Sequence, residues 1–219
     1  MRTLLPLTLV ACGWDAPVLL DVPARAGWGG SFAWTTADGH AVELTDASLP
    51  IVSLRLEAPP EALVALPSLL PVARAHPGHD ASGAVGGEWL GEAALTLGGI
   101  TRLGLARCYT GTYVTGRLQL QGDLRLAGTV TLAGGGVVPF DFSGPIDREV
   151  SGVSFVAQIH EDPAPRAIVL TAWPEELLRW AGWLTDPGDG LLDLGDGTLA
   201  NSVPFGVVSS ASWSLELAE

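Results

Sequence analysis

Apolar and polar positions alternate with a period of two through most of this chain, the spacing of half-buried β-strands. In "SFAWTTADGHAVELTD" two alternating runs flank Asp38-Gly39, a pair suited to a tight hairpin turn. "IVSLRLEA" alternates in the same way, and "GTYVTGRLQLQGDLRLAGTVTLAGGG" reads as two long strands joined around Gly122-Asp123. Further strands are predicted at residues 95–107, 137–142, 150–160, 166–171 and 205–217. About ten strands at such spacing predict an all-β fold, an antiparallel β-sandwich or a barrel-like closure.

One segment changes period. "WPEELLRWAGWL" places Pro174 at a first helical position and Glu175 and Glu176 at the positive end of the helix dipole. Leu177, Ala181 and Leu184 then share a face, which predicts one short helix near the C-terminus, plugging an end of the β domain. Residues 57–87 break the alternation. The four prolines Pro59, Pro60, Pro67 and Pro71 precede His76, and Pro77 follows it, so an ordered but irregular excursion is expected there.

Composition agrees with turn-rich β structure: 28 Gly and 16 Pro in 219 residues, with 47% hydrophobic content sufficient for a sizeable core. The formal net charge of −13, with no basic stripe, opposes attraction to a phosphate backbone, so no nucleic-acid partner is expected.

The N-terminus reads "MRTLLPLTLVAC", one Arg before an apolar run from Leu4 to Ala11 that ends at Cys12. That pattern is similar to a bacterial lipoprotein signal, in which the thiol of Cys12 takes the lipid and residues 1–11 are removed. The expected mature chain, 12–219, is a single β domain held to a membrane by its lipid, and Gly13 resembles the outer-membrane choice of sorting. The competing reading is a first strand with an incidental Cys. Of the two Cys, lipidation uses one, and Cys108 in "ARCYTG" is then expected to be a buried strand residue or, failing that, a soft metal ligand or an intermolecular partner.

Candidate chemistry concentrates in "AHPGHD", residues 75–80. Pro77 fixes one dihedral and Gly78 tolerates positive φ, so a bend there can turn the His76 and His79 imidazoles toward one ion. Asp80 would ligate the ion or orient a ring, Glu88 and Glu92 lie close downstream, and His160 or Cys108 would supply a third donor. The bland alternative is a pair of exposed turn histidines. His40 reads as a hairpin surface residue. "DPGDGLLDLGDG" repeats Asp in Gly-rich turns, but its spacing lacks the calcium-loop pattern and fits two ordinary Asp-Gly turns. Enzyme signatures such as G-x-S-x-G, H-E-x-x-H, C-x-x-C and the phosphate-binding glycine loops do not occur, so no catalytic residue is assigned.

The order of "ADGHAVELTD", "LPIVSLRL", "GTYVTGRLQL", "RAIVLT" and "PEELLRWAGWL" resembles the layout of the MbnP-like family of bacterial copper-handling envelope proteins. The resemblance implies an exported β domain and copper, and it assigns no ligand residue. Members of that family carry several cysteines, where this mature chain would keep Cys108 and its anchor. The leading expectation is a lipid-anchored envelope protein that holds copper or another transition metal through His76, His79 and His160. The alternative is a metal-free structural or interaction domain with an envelope protein as its partner.

Overall fold

A computed structural model describes residues 17–59, 84–183 and 190–218. The alternating segments become β1 (Leu19–Trp28), β2 (Ala33–Thr35), β3 (Ala41–Ala58), β4 (Ala84–Thr96) and β5 (Thr101–Tyr109). They continue as β6 (Gly111–Thr131), β7 (Val137–Ile159), β8 (Ala167–Ala172), β9 (Leu192–Asp193) and β10 (Trp213–Ala218), with helices α1 (Pro174–Leu177) and α2 (Leu199–Val208) between the last three strands. The protein is all-β, as the alternation predicts. One sheet runs β10-β8-β1-β5-β4-β3-β6-β7-β9, and β2 pairs with β3.

Several expectations need correction. The sheet is mixed rather than purely antiparallel, because β8 lies parallel to β1 and β9 parallel to β7. Gly122-Asp123 is not a turn: β6 runs straight through it, pairing Gly122 with Ile146 and Asp123 with Pro145, and the positive φ of Gly122 (+135°) absorbs the bend. Residues 137–142 and 150–160 likewise join into β7, a single strand of 23 residues. Residues 205–208 are helical instead of extended. α2 buries Leu199, Val203, Gly206 and Val207, and Gly206 lies so close to the Leu177 carbonyl that any Cβ would overlap it.

The expected helix at residues 173–184 shortens to α1, four residues long, because the chain beyond it must deliver Trp183 to the core. The Trp183 ring lies 5.2 Å from Phe140 and 6.1 Å from Phe142, centroid to centroid. Tilted aromatic contacts of this kind add to the burial energy of each ring. At the margins of the expected excursion, Glu57 and Ala58 belong to β3 and residues 84–87 to β4, and residues 60–83 between them lie outside the described residues.

The inward positions of the long strands build the core. Leu54, Leu56, Leu118, Leu120, Leu126, Phe142, Val150 and Phe155 are all at most 1% exposed. Each contributes about 1.5–3 kcal/mol by leaving water. The sheet curls until β10 packs across it against β7, and Leu215 fills the space beside Gly116 on β6, where a Cβ would collide with it. The closure is barrel-like.

Strand direction defines two ends. Leu19 pairs with Tyr109, Ala58 with Ala84 and Gly111 with Ile159, which marks a basal end. Ala41 pairs with Thr131, and Trp28 and Trp213 both pair with Ala172, which marks an apical end. Trp173 and Trp213, which lead into α1 and follow α2, place both helices at the apical end. Among the described residues no helix is long and apolar enough to cross a membrane.

Candidate functional site

Of the three candidate metal donors the structure describes one, at the basal end. β7 ends at Ile159, so His160 follows at this end and is exposed. β3 leaves the sheet here at Ala58 and β4 re-enters at Ala84, so the segment bearing His76 and His79 starts and finishes here as well. Those two histidines, with Asp80, lie outside the described residues, as does Cys12. β1 also enters the sheet at this end, through Val18 and Leu19. Among the described residues no three His, Cys, Asp or Glu side chains are grouped to hold one ion.

Cys108 is fully buried, with its sulfur against Gly87, where a Cβ would stand 2.8 Å away. Burial, with the negative charge of Asp21 adding to it, pushes the thiol up to about 12. That favours the protonated, inert thiol over a soft metal ligand. Tyr113 packs nearby. Its hydroxyl is 2.7 Å from the carbonyls of both Gly86 and Tyr109 and shares its single proton between them, and burial raises its pKa also.

Other sequence candidates resolve into structure. The Nδ1 of His40 accepts a hydrogen bond from the Ala133 N–H at 3.1 Å, tying the turn before β3 to the β6–β7 connection. In the second aspartate turn, Asp193 Oδ1 accepts from Gly195 N–H and Asp196 Oδ2 from Asp193 N–H, so both carboxylates cap backbone groups. Glu88 accepts from Arg55 Nε at 2.7 Å, and is an ion-pair partner rather than a spare donor for metal.

A feature invisible in the sequence lies on the outer face. Ladder pairing sets Asp21 opposite Arg107, Arg107 opposite Glu88, Glu88 opposite Arg55 and Arg55 opposite Arg117. Charges thus form a belt across β1, β5, β4, β3 and β6. The two facing arginines would repel, but acidic side chains flank both. Arg117 bonds to Glu57 through Nε and to Glu149 at 3.2 Å through Nη1, while Arg55 holds Glu88. Thr115 Oγ1 donates to the other Glu57 oxygen at 2.7 Å. Such cross-strand pairs stabilise one register, because a slip by one residue would turn every charge into the core. The outward i, i+2 placement of these residues was legible in the alternation, whereas their partners depend on pairing between strands.

Beside the belt, Ser53, Arg55, Arg117, Gln119, Gln121, Asp147 and Glu149 line a depression of about 250 Å³. It continues past Gln121 into a second, of about 490 Å³, bordered by Pro50, Val52, Glu92, Ala94 and Gly122. Comparison with protein-family models, with curated proteins and with solved structures finds no match for this chain.

Proposed function

We propose that this protein is a lipid-anchored cell-envelope domain that binds a transition metal, copper in preference, through His76 and His79 with His160 as third donor. The observation that carries the reading is the shared basal end. His160 and both ends of the His76–His79 segment lie at the same edge of the sheet. At about 3.3 Å per extended residue, the chain between Pro59 and Ala84 is long enough to bring its imidazoles to any point on that edge. Neutral imidazoles favour copper over the other divalent first-row metals in affinity order. The start of β1 at the same end supports an anchor at Cys12, which would turn this end toward the membrane. The MbnP-like layout points the same way.

The test is metal content of protein isolated from the envelope of its host. The parent retains about one copper per chain, the His76→Ala/His79→Ala variant loses it, and His160→Ala weakens it. Unchanged stoichiometry in the double variant ends the assignment to His76 and His79, and absence of copper from the parent ends the copper reading. Radiolabelled palmitate incorporated by the parent and not by Cys12→Ala tests the anchor separately.

A second reading, a metal-free domain that contacts an envelope protein, is favoured by one observation. Trp180 and Phe205 are 55% and 62% exposed and meet edge to face at 6.4 Å, at the apical end away from the proposed anchor. Exposed aromatic pairs are common anchors of protein interfaces. Under that reading Trp180→Ser with Phe205→Ser releases a cross-linked envelope partner, and copper content is nil in the parent.

A further inference from the structure

We infer that the trough on the outer face of β3, β6 and β7 is a binding site for a neutral polyhydroxylated ligand, a glycan chain. The inference uses neither His160 nor the His76–His79 segment and does not depend on the copper reading.

The lining chemistry selects the ligand class. Guanidinium, carboxylate and carboxamide groups present paired donors or paired acceptors in a plane, a spacing that suits adjacent hydroxyls. Arg55, Arg117, Gln119, Gln121, Asp147 and Glu149 supply all three kinds within one depression, and the Ser53 hydroxyl adds a further donor and acceptor. Ion pairing holds them in place beforehand. Arg55 is fixed by Glu88, Arg117 by Glu57 and Glu149, and Gln119 Nε2 donates to Asp147 Oδ1 at 2.8 Å, which leaves the amide oxygen to accept. Side chains already ordered lose little entropy when a ligand arrives.

Charge excludes the obvious competitors. The two depressions carry Asp147, Glu149 and Glu92 against Arg55 and Arg117, and the chain as a whole carries −13, so phosphate, sulfate and acidic sugars are disfavoured. Apolar surface borders the polar groups, as the C–H faces of sugar rings require. Leu90, 64% exposed, pairs with Ser53 across β4 and β3, and Pro50 and Val52 line the adjoining depression. The two depressions meet at Gln121, which makes the trough elongated and suits a chain of rings better than a single one.

An extended peptide fits less well. Peptides that add to β proteins lie along the free edge of a sheet, whereas this trough lies over β3 and β6, strands with a neighbour on both sides, and the ladder between them is interrupted only over the short stretch between Ser48 and Ser53. Gly122 keeps the trough open. Its φ of +135° suits glycine, and a Cβ there would meet Pro50 at 3.0 Å.

The experiment screens the full chain on an array of neutral oligosaccharides, acidic oligosaccharides and peptides, then titrates the best neutral oligosaccharide by calorimetry. Binding to neutral oligosaccharides is expected, weakened about tenfold by Asp147→Ala and by Gln121→Ala, the loss of roughly one hydrogen bond each. Both residues are exposed, so melting temperature should not move, and a parental melting curve keeps the comparison valid. Absence of any neutral-oligosaccharide binding overturns the inference. So does preference for acidic sugars or peptides, or affinity that both variants leave unchanged.

Discussion

Replacing Arg117 by Met removes the cation on which Glu57 and Glu149 converge while keeping most of the side-chain volume. Arg117 and Glu57 side chains are only 17% and 12% exposed, and Glu149 is 30% exposed. Breaking a fully buried pair typically costs about 3–5 kcal/mol, because the abandoned charge stays in a poor solvent. Partial exposure of the acids offsets some of this. Loss of the Arg55–Arg117 ladder repulsion returns up to about 1 kcal/mol more. The net expectation is a loss of about 2 kcal/mol, measured by urea denaturation, and a fall in melting temperature of about 4–8 °C for a chain of this size. Glu57→Gln in the Arg117→Met background should restore part of the loss, so that the double variant is more stable than the sum of the singles predicts. Arg117→Lys should rescue only partly, since an ammonium cannot engage two carboxylates as a planar fork does. If Arg117→Met unfolds within about 0.5 kcal/mol of the parent, or if the double variant is strictly additive, the belt does not stabilise the sheet through the Arg117 ion pairs.

Cys108 gives a pH prediction. With its thiol pushed up to about 12 from 9.0, the native protein at pH 8 holds about a thousandfold less thiolate than an ordinary cysteine, so the disulfide reagent DTNB should label it only after urea is added. Because the folded pKa is raised, the associated stability is complete below pH 9.0 and is lost as pH climbs toward 12; Cys108→Ala should therefore flatten the alkaline fall in unfolding free energy, and an unaltered slope would contradict the burial argument. Gly128→Ala places a methyl against the Glu43 carbonyl and the Phe140 ring, and should cost about 1–3 kcal/mol in denaturant titration. Gly99→Ala, with nothing within 4 Å, should change stability by less than about 0.5 kcal/mol.

The alternation in "IVSLRLEA" and "GTYVTGRLQL" was enough to predict strands, because a period of two describes one chain segment at a time. Where a local signal competed with pairing, pairing won. Gly122-Asp123 has turn chemistry, yet β7 supplies partners on both sides of it and β6 continues. Pro204 and Gly206 disfavour a helix in "LANSVPFGVV", yet the close approach of Gly206 to α1 makes glycine necessary there. Of the proposed metal donors, sequence named His160 but not its position at the edge where the His76–His79 segment departs. Arg55, Arg117, Glu57 and Glu149 carry no distinguishing signal in the sequence, since outward charged residues on a strand are ordinary until their neighbours are known.

The sequence by itself determined the all-β character and the inward set of Leu, Val and Phe, consequences of hydrophobic period and side-chain type, whereas the burial of Cys108 was one of several readings until the structure placed it in the core. Only the tertiary structure decided the mixed sheet, its barrel-like curl, the common basal end and the charge belt with its trough. These depend on strand register and direction, which bring residues such as Asp21, Arg107, Glu88, Arg55 and Arg117 side by side from distant parts of the chain.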